Sequence, residues 1–323
     1  MHYALPYKTK QFFIAVIKFS IVIGCLYFIY KKLVYNEDLA FSDFYQILTK
    51  NDVFSPKNII FLLILTILNW FFEILKWQVL VKTITSISFF KAFQQSLAGA
   101  SASLITPNKI GDYGAKIIYF KKPLQKKAAL LNLIGHITQM GVTTVFGIIG
   151  LSVFVVTFKV SFDLSVVLKA LIILTIVGTL IAFGTRQKHF EIRGFSLNKI
   201  WNYIKTIPKS NLLLNAIFAI IRYGIFSFQF GFILYLLGVE IEVFHFVIAI
   251  TSMYFLASII PALSLFDVVI KSSVAIYILS FLGVDTILIL ATTTLMWALN
   301  FVLPSLLGSY FILNFKLPKA STQ

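Results

Sequence analysis

The sequence predicts an all-α polytopic membrane protein, with about six full spans plus two proline-broken re-entrant elements arranged as an inverted repeat. Three observations lead there. First, the 323 residues are 59% hydrophobic and 12% charged, with a mean hydropathy of +0.91. Apolar runs at that density mean membrane helices, not a soluble core. Second, a proline interrupts an apolar stretch twice, and each time an Asp and a Lys follow at helical spacing. Third, the loops carry an excess of one sign of charge, which assigns each loop a side.

The apolar segments run at 12–30, 57–81, 89–105, 128–158, 164–184, 211–237, 243–260, 264–282 and 286–314. A crossing needs about 20 residues, and most of these qualify. The basic start (His2, Lys8, Lys10) leads into 12–30 with no small-residue cleavage site, so an uncleaved first span is expected. Segment 89–105 is short, and the helix after Pro107 soon becomes basic. Residues 89–120 therefore read as a hairpin that enters, breaks and leaves from one side. Irregular backbone at membrane depth requires burial in protein or a wet cavity. Residues 243–282 repeat this pattern around Pro261, either as a second hairpin or as two full crossings.

Charge then orders the spans. Lys109, Lys116, Lys121, Lys122, Lys126 and Lys127 oppose Asp112 alone in 108–127, and six Lys or Arg oppose Glu191 in 186–210. Both segments, and the tail with Lys316 and Lys319, read as cytoplasmic. Glu37, Asp38, Asp43 and Asp52 in 36–57, and Glu240 and Glu242, read as external. Both termini are then cytoplasmic. The pattern of span, broken element, span occurs at about 57–158 and again at about 211–314 within one transmembrane domain, 1–323. The span between them inverts the second copy. Inverted repeats with interrupted helices place a substrate site where the repeats meet.

The candidate substrate-binding residues cluster at the breaks. Thr106, Pro107, Asn108, Lys109, Gly111, Asp112 and Lys116 form the first group. A half-helix start exposes N–H groups that attract anions such as phosphate. Lys109 and Lys116 add charge, Thr106 and Asn108 add hydrogen bonds, and Gly111 permits close approach. The bland alternative is a cytoplasmic loop with a surface pair, Asp112–Lys116, worth about 0.3–0.5 kcal/mol. The second group is Pro261, Asp267 and Lys271, in the apolar stretch from Phe244 to Leu282. Charges placed there need each other or water. Arg222 sits near mid-depth in 211–237, where a lipid phosphate, Asp267 or Glu73 would satisfy it.

Other polar residues read as structural. Glu73 and Lys76 lie late in their span, within reach of the cytoplasmic interface by snorkelling. His136 and Gln139 suit an interhelical hydrogen bond, and Asn300 suits carbonyls freed near Pro304. Cys25 is the sole cysteine, the four histidines lack ligand spacing, and no nucleotide or hydrolase motif is present. No cofactor, metal or nucleic acid is expected, and the net charge of +16 suits anionic headgroups.

The first motif, Thr106-Pro107-Asn108-Lys109-Ile110-Gly111-Asp112, resembles the Thr-Pro-Gly/Asn-Arg-Leu/Ile-Gly-Glu signature of the flippase-like family. That family is also called the lysylphosphatidylglycerol synthase transmembrane-region family. Pro261…Asp267, Gly283-Val284, Pro304 and Gly308 follow in the family's order. The resemblance implies a bacterial inner-membrane protein that moves an anionic phospholipid or lipid-linked intermediate between leaflets. The best-known relatives carry a soluble aminoacyl-transferase after the membrane region; no synthase chemistry is expected of these 323 residues, so the chain reads as a non-enzyme. Leu265-Phe266-Asp267 and Lys271 stand where the family tends to have a Gly-rich turn and a Glu. His136 and Trp297 stand where it often has Arg. The alternatives are a membrane transferase using a polyprenyl-phosphate donor at the external Glu37-Asp38 and Glu240–Glu242, or a non-transporting accessory subunit of envelope synthesis.

Overall fold

The structure is a computed structural model, and it describes residue 23 and residues 55–104, 106, 110–160, 197–260 and 267–315. Among the described residues every regular element is helical. Four stretches are long and apolar enough to cross a membrane: α1 (Pro56–Val81), α4 (Lys122–Thr157), α6 (Lys209–Leu236) and the run Thr286–Leu313. They match four of the predicted spans. The expected spans 12–30 and 164–184 lie outside the described residues, as do 36–54 and 186–196 of the loops used to assign sides.

Between these run shorter helices. The first broken element is α2 (Phe89–Leu104) followed by α3 (Ile110–Ile117). A surface helix, α5 (Leu197–Thr206), precedes α6. The second broken element is α7 (Val243–Ile259) followed by α8 (Asp267–Ser280). With 17 and 14 residues, α7 and α8 reach about 26 and 21 Å, short of the roughly 30 Å hydrocarbon layer. Both are shorter than the four long apolar stretches. The last run is α9 (Thr286–Trp297), a π-helical segment at Ala298–Val302, and α10 (Leu303–Leu313).

Both broken elements are hairpins, entering from opposite ends of α4. Phe120, just beyond α3, shares a cluster with Ala92 near the start of α2, and with Val81 and Ala128 at the ends of α1 and α4. The first hairpin thus opens at the start of α4. At the other end, Phe158 contacts both His245 at the start of α7 and Phe281 just beyond α8. The two inner tips approach each other: Leu104, ending α2, and Val268, opening α8, pack on one cluster with Trp297 and Val302. Trp297 and Val302 lie midway along the run Thr286–Leu313.

The crossings pair antiparallel. Along α1 and α6, Phe61 meets Phe232, Thr66 meets Gln229 and Glu73 meets Arg222. α4 packs on α7, with Gly150 against Thr251 and Gly147 against Phe255. α10 packs on α2, with Ser101 Oγ donating to the Ser305 carbonyl. Apolar residues gain little by leaving lipid for another helix, so close backbone approach carries much of this packing. Gly308 is the plainest case. A Cβ there would collide with the Leu97 carbonyl of α2.

The π segment has a local cause. Pro304 has no N–H, so the Asn300 carbonyl four residues back loses its helical donor. The Trp70 indole of α1 donates to that carbonyl instead, at 3.2 Å. Asn300 Nδ2 bonds the Met296 carbonyl at 3.1 Å and Gln229 Oε1 at 2.9 Å, while its Oδ1 accepts from Asn69 at 2.7 Å. The freed carbonyl is therefore served by Trp70 and not, as expected, by the Asn300 side chain, which instead ties the last helical run to α1 and α6.

Candidate functional site

Four helices bring charged and amide side chains to one place. α1 contributes Glu73, Lys76 and Trp77. α3 contributes Asp112 and Lys116. On α4, Asn132, His136 and Gln139 follow at i, i+4 and i+7, so they share a face. α6 contributes Arg222. Their contacts form two adjoining groups.

The first group centres on the Asp112 carboxylate. Lys116 Nζ lies 3.1 Å from it, Asn132 Nδ2 donates to Oδ2 at 2.8 Å, and His136 Nε2 lies 2.9 Å from Oδ2. Lys116 also donates to Asn132 Oδ1 at 2.8 Å and sits 4.8 Å above the Trp77 ring, a cation–π contact. Gln95 fixes that ring by accepting from the indole N–H at 2.7 Å. Asp112 is 6% exposed and Lys116 3%. The bland alternative of a solvated surface pair does not hold, because both residues are buried against α2 and α4.

The second group centres on Glu73. Lys76 Nζ and Arg222 Nη1 approach Glu73 Oε2 at 3.1 and 3.2 Å. Gln139 Oε1 accepts from Lys76 at 2.9 Å and from Arg222 at 3.4 Å. The snorkelling expected of Glu73 and Lys76 does not occur: Lys76 is buried, and its ammonium points inward to Glu73 and Gln139. Arg222 finds one of its two expected acidic partners, Glu73. His136 and Gln139 do bond between helices, and they bond to charged partners.

Glu73, Lys76, Trp77, Lys116, Asn132 and His136 line one narrow cavity between the groups, of about 10 Å³, room for about one water molecule. Counting Lys76, Lys116 and Arg222 against Glu73 and Asp112, three cations face two anions, a surplus of one.

The remaining predicted residues divide. Thr106 closes the break itself: its hydroxyl donates to the Ala102 carbonyl at 2.9 Å and accepts from the Gly111 N–H at 2.7 Å. Gly111 does permit a close approach, but to α2. A Cβ there would collide with the Ala102 carbonyl. The start of α3 is thus partly satisfied by its own chain. Pro107, Asn108, Lys109 and Pro261 lie outside the described residues, and Asp267 is described only as the first residue of α8. Lys271 is half-buried, its Nζ 5.0 Å from the Phe301 ring, and it does not line the cavity. Glu242 pairs with His245 at 2.8 Å.

Sequence reasoning missed Asn132, Trp77 and Gln95. Asn132 left a signal, standing one helical turn before His136 in an apolar run.

A family model of the lysylphosphatidylglycerol synthase transmembrane region matches residues 15–308. The chain belongs to that family. No curated protein and no solved structure gives a significant match. Membership in the lysylphosphatidylglycerol synthase transmembrane-region family makes this a multi-pass membrane protein of lipid-related envelope function. In this member of the family, the buried charges occupy the space between the first hairpin and the crossings α1, α4 and α6.

Proposed function

We propose that the chain moves an anionic phospholipid or lipid-linked intermediate between the leaflets of a bacterial inner membrane. The observation that carries this is the buried cluster with its surplus cation, built from Lys76, Lys116 and Arg222 around Glu73 and Asp112. Intramembrane ionisable residues mark substrate pathways by default, and guanidinium and ammonium groups bind phosphate. The headgroup's phosphate takes the place of a carboxylate at Lys116 or Arg222. A cavity with room for about one water belongs to a closed state, so the helices separate for a headgroup to enter.

The packing supports a way to separate them. α1 pairs with α6, and α4 with α7 as α10 with α2, all antiparallel. Exchanging the segments 57–158 and 211–314 maps this pattern onto itself, as an in-plane two-fold axis requires. Rocking one half against the other then opens the cluster to each side in turn. The cycle is uncoupled or ion-driven, and its chemistry is binding and release, with no bond made or broken.

The test is reconstitution into vesicles with a fluorescent anionic phospholipid, scored by quenching of the outer leaflet. Wild type should exchange the lipid faster than empty vesicles, and Lys116→Gln/Arg222→Gln should not. Equal rates for wild type and empty vesicles would sink the proposal.

A further inference from the structure

A second group of buried polar atoms lies next to the charged cluster, without hydrogen-bond partners among the described residues. Arg222 Nε and the hydroxyls of Tyr223, Ser227 and Tyr254 are buried, and none has a hydrogen-bond partner among the described residues. A buried hydroxyl left unpaired costs about 1–3 kcal/mol, so one such group is uncommon and four on neighbouring residues need an explanation.

They fall together for geometric reasons. Tyr223 and Ser227 stand one turn apart on one face of α6. Tyr254 of α7 lies across from them, its ring 6.0 Å from Tyr223 and 5.4 Å from Phe226. Phe146 of α4 stacks on Tyr223 at 5.4 Å. The group therefore occupies the junction of α4, α6 and α7. α4 and α6 run parallel here, since Asn215 meets Thr138, Arg222 meets Gln139 and Tyr223 meets Phe146. Phe146 is seven residues beyond Gln139, a rise of about 10 Å. The charged cluster adjoins the first hairpin, and the hydroxyls adjoin the second.

We infer that Tyr223, Ser227 and Tyr254 form a second, uncharged station for the lipid headgroup, which it reaches after leaving Lys116 and Arg222. This rests on the transport reading above. Phosphate oxygens are acceptors, and the three hydroxyls are donors without acceptors. Arg222 joins the stations, with its Nη1 on Glu73 and its Nε unengaged. A neutral station holds an anion more weakly than a cationic one, which lets the headgroup leave. The aromatic walls exclude water, which strengthens each hydroxyl–phosphate bond.

The test compares Tyr223→Phe/Tyr254→Phe with wild type in the same vesicle assay, alongside thermal unfolding in detergent. The double variant keeps both rings. Its thermal midpoint should equal or exceed that of wild type, because two unpartnered hydroxyls leave the interior. Its exchange of labelled anionic phospholipid should fall about tenfold or more, the worth of one hydrogen bond to a charged group. Exchange within a factor of two of wild type overturns the inference. A fall accompanied by a lower midpoint also overturns it, since the hydroxyls would then serve packing. If Lys116→Gln/Arg222→Gln abolishes exchange while the Phe variant does not, the transport reading stands and the second station alone falls. If wild type exchanges no lipid, both fall.

Discussion

Replacing Asp112 with Asn distinguishes two pictures of the first hairpin by a wide margin. The change is nearly isosteric, so it opens no cavity. On a solvated helix an Asp–Lys pair at i, i+4 contributes about 0.3–0.5 kcal/mol. In the structure both partners are buried, and Lys116 Nζ stands 3.1 Å from the carboxylate. At that distance the attraction is about 5 kcal/mol for an effective dielectric constant near 20. Asn keeps an acceptor for Lys116, worth about 1 kcal/mol. The ammonium is nevertheless left buried without its counter-charge, so Asp112→Asn should cost about 3–5 kcal/mol. Removing the second charge as well, in Asp112→Asn/Lys116→Met, should recover about 2 kcal/mol of that loss. The assay is equilibrium unfolding in mixed micelles with increasing SDS, followed by helical circular dichroism. A cost below about 0.5 kcal/mol for the single variant would return the pair to the surface. Additive costs of the two substitutions would show that the partners do not interact.

Two further outcomes follow from the packing, read by the same unfolding assay. Gly308→Leu should destabilise by about 1–3 kcal/mol, since its Cβ meets the Leu97 carbonyl of α2, whereas Gly224→Ala, in open space, should be neutral or stabilising by up to about 1 kcal/mol. Asn300→Leu should cost about 1–3 kcal/mol for each amide it strands on Asn69 and Gln229, and an effect within 0.5 kcal/mol would show that these amides find other partners.

The helices were legible because each crossing is long, apolar and bounded by charge or proline. The prediction of 57–81 became Pro56–Val81, and 243–260 became Val243–Ile259. Proline position gave the breaks, since a missing N–H acts locally. What the chain concealed was the direction of its polar side chains. Lys76 is close enough to a helix end to reach water, and nothing in its neighbours along the chain says that Gln139, 63 residues on, draws it inward. Thr106 read as a ligand-binding hydroxyl, and in the folded hairpin that hydroxyl bonds the backbone of Ala102 and Gly111. The amide bridge through Asn69, Gln229 and Asn300 was hidden for the same reason, because three helices must meet before any one amide shows its role.

The length of α4 has a consequence for supply. Its 36 residues span about 54 Å, against roughly 30 Å of hydrocarbon, so the helix continues well into the headgroup layer. Its first turns carry Lys122, Lys126 and Lys127, with Lys121 just before, all exposed. Each cation near an anionic leaflet contributes about 1 kcal/mol of attraction. The helix that holds Asn132 and His136 in the cluster therefore begins as a cationic collar. Against an anionic leaflet, such a collar would raise the local concentration of anionic lipid at the mouth of the first hairpin before any conformational change begins.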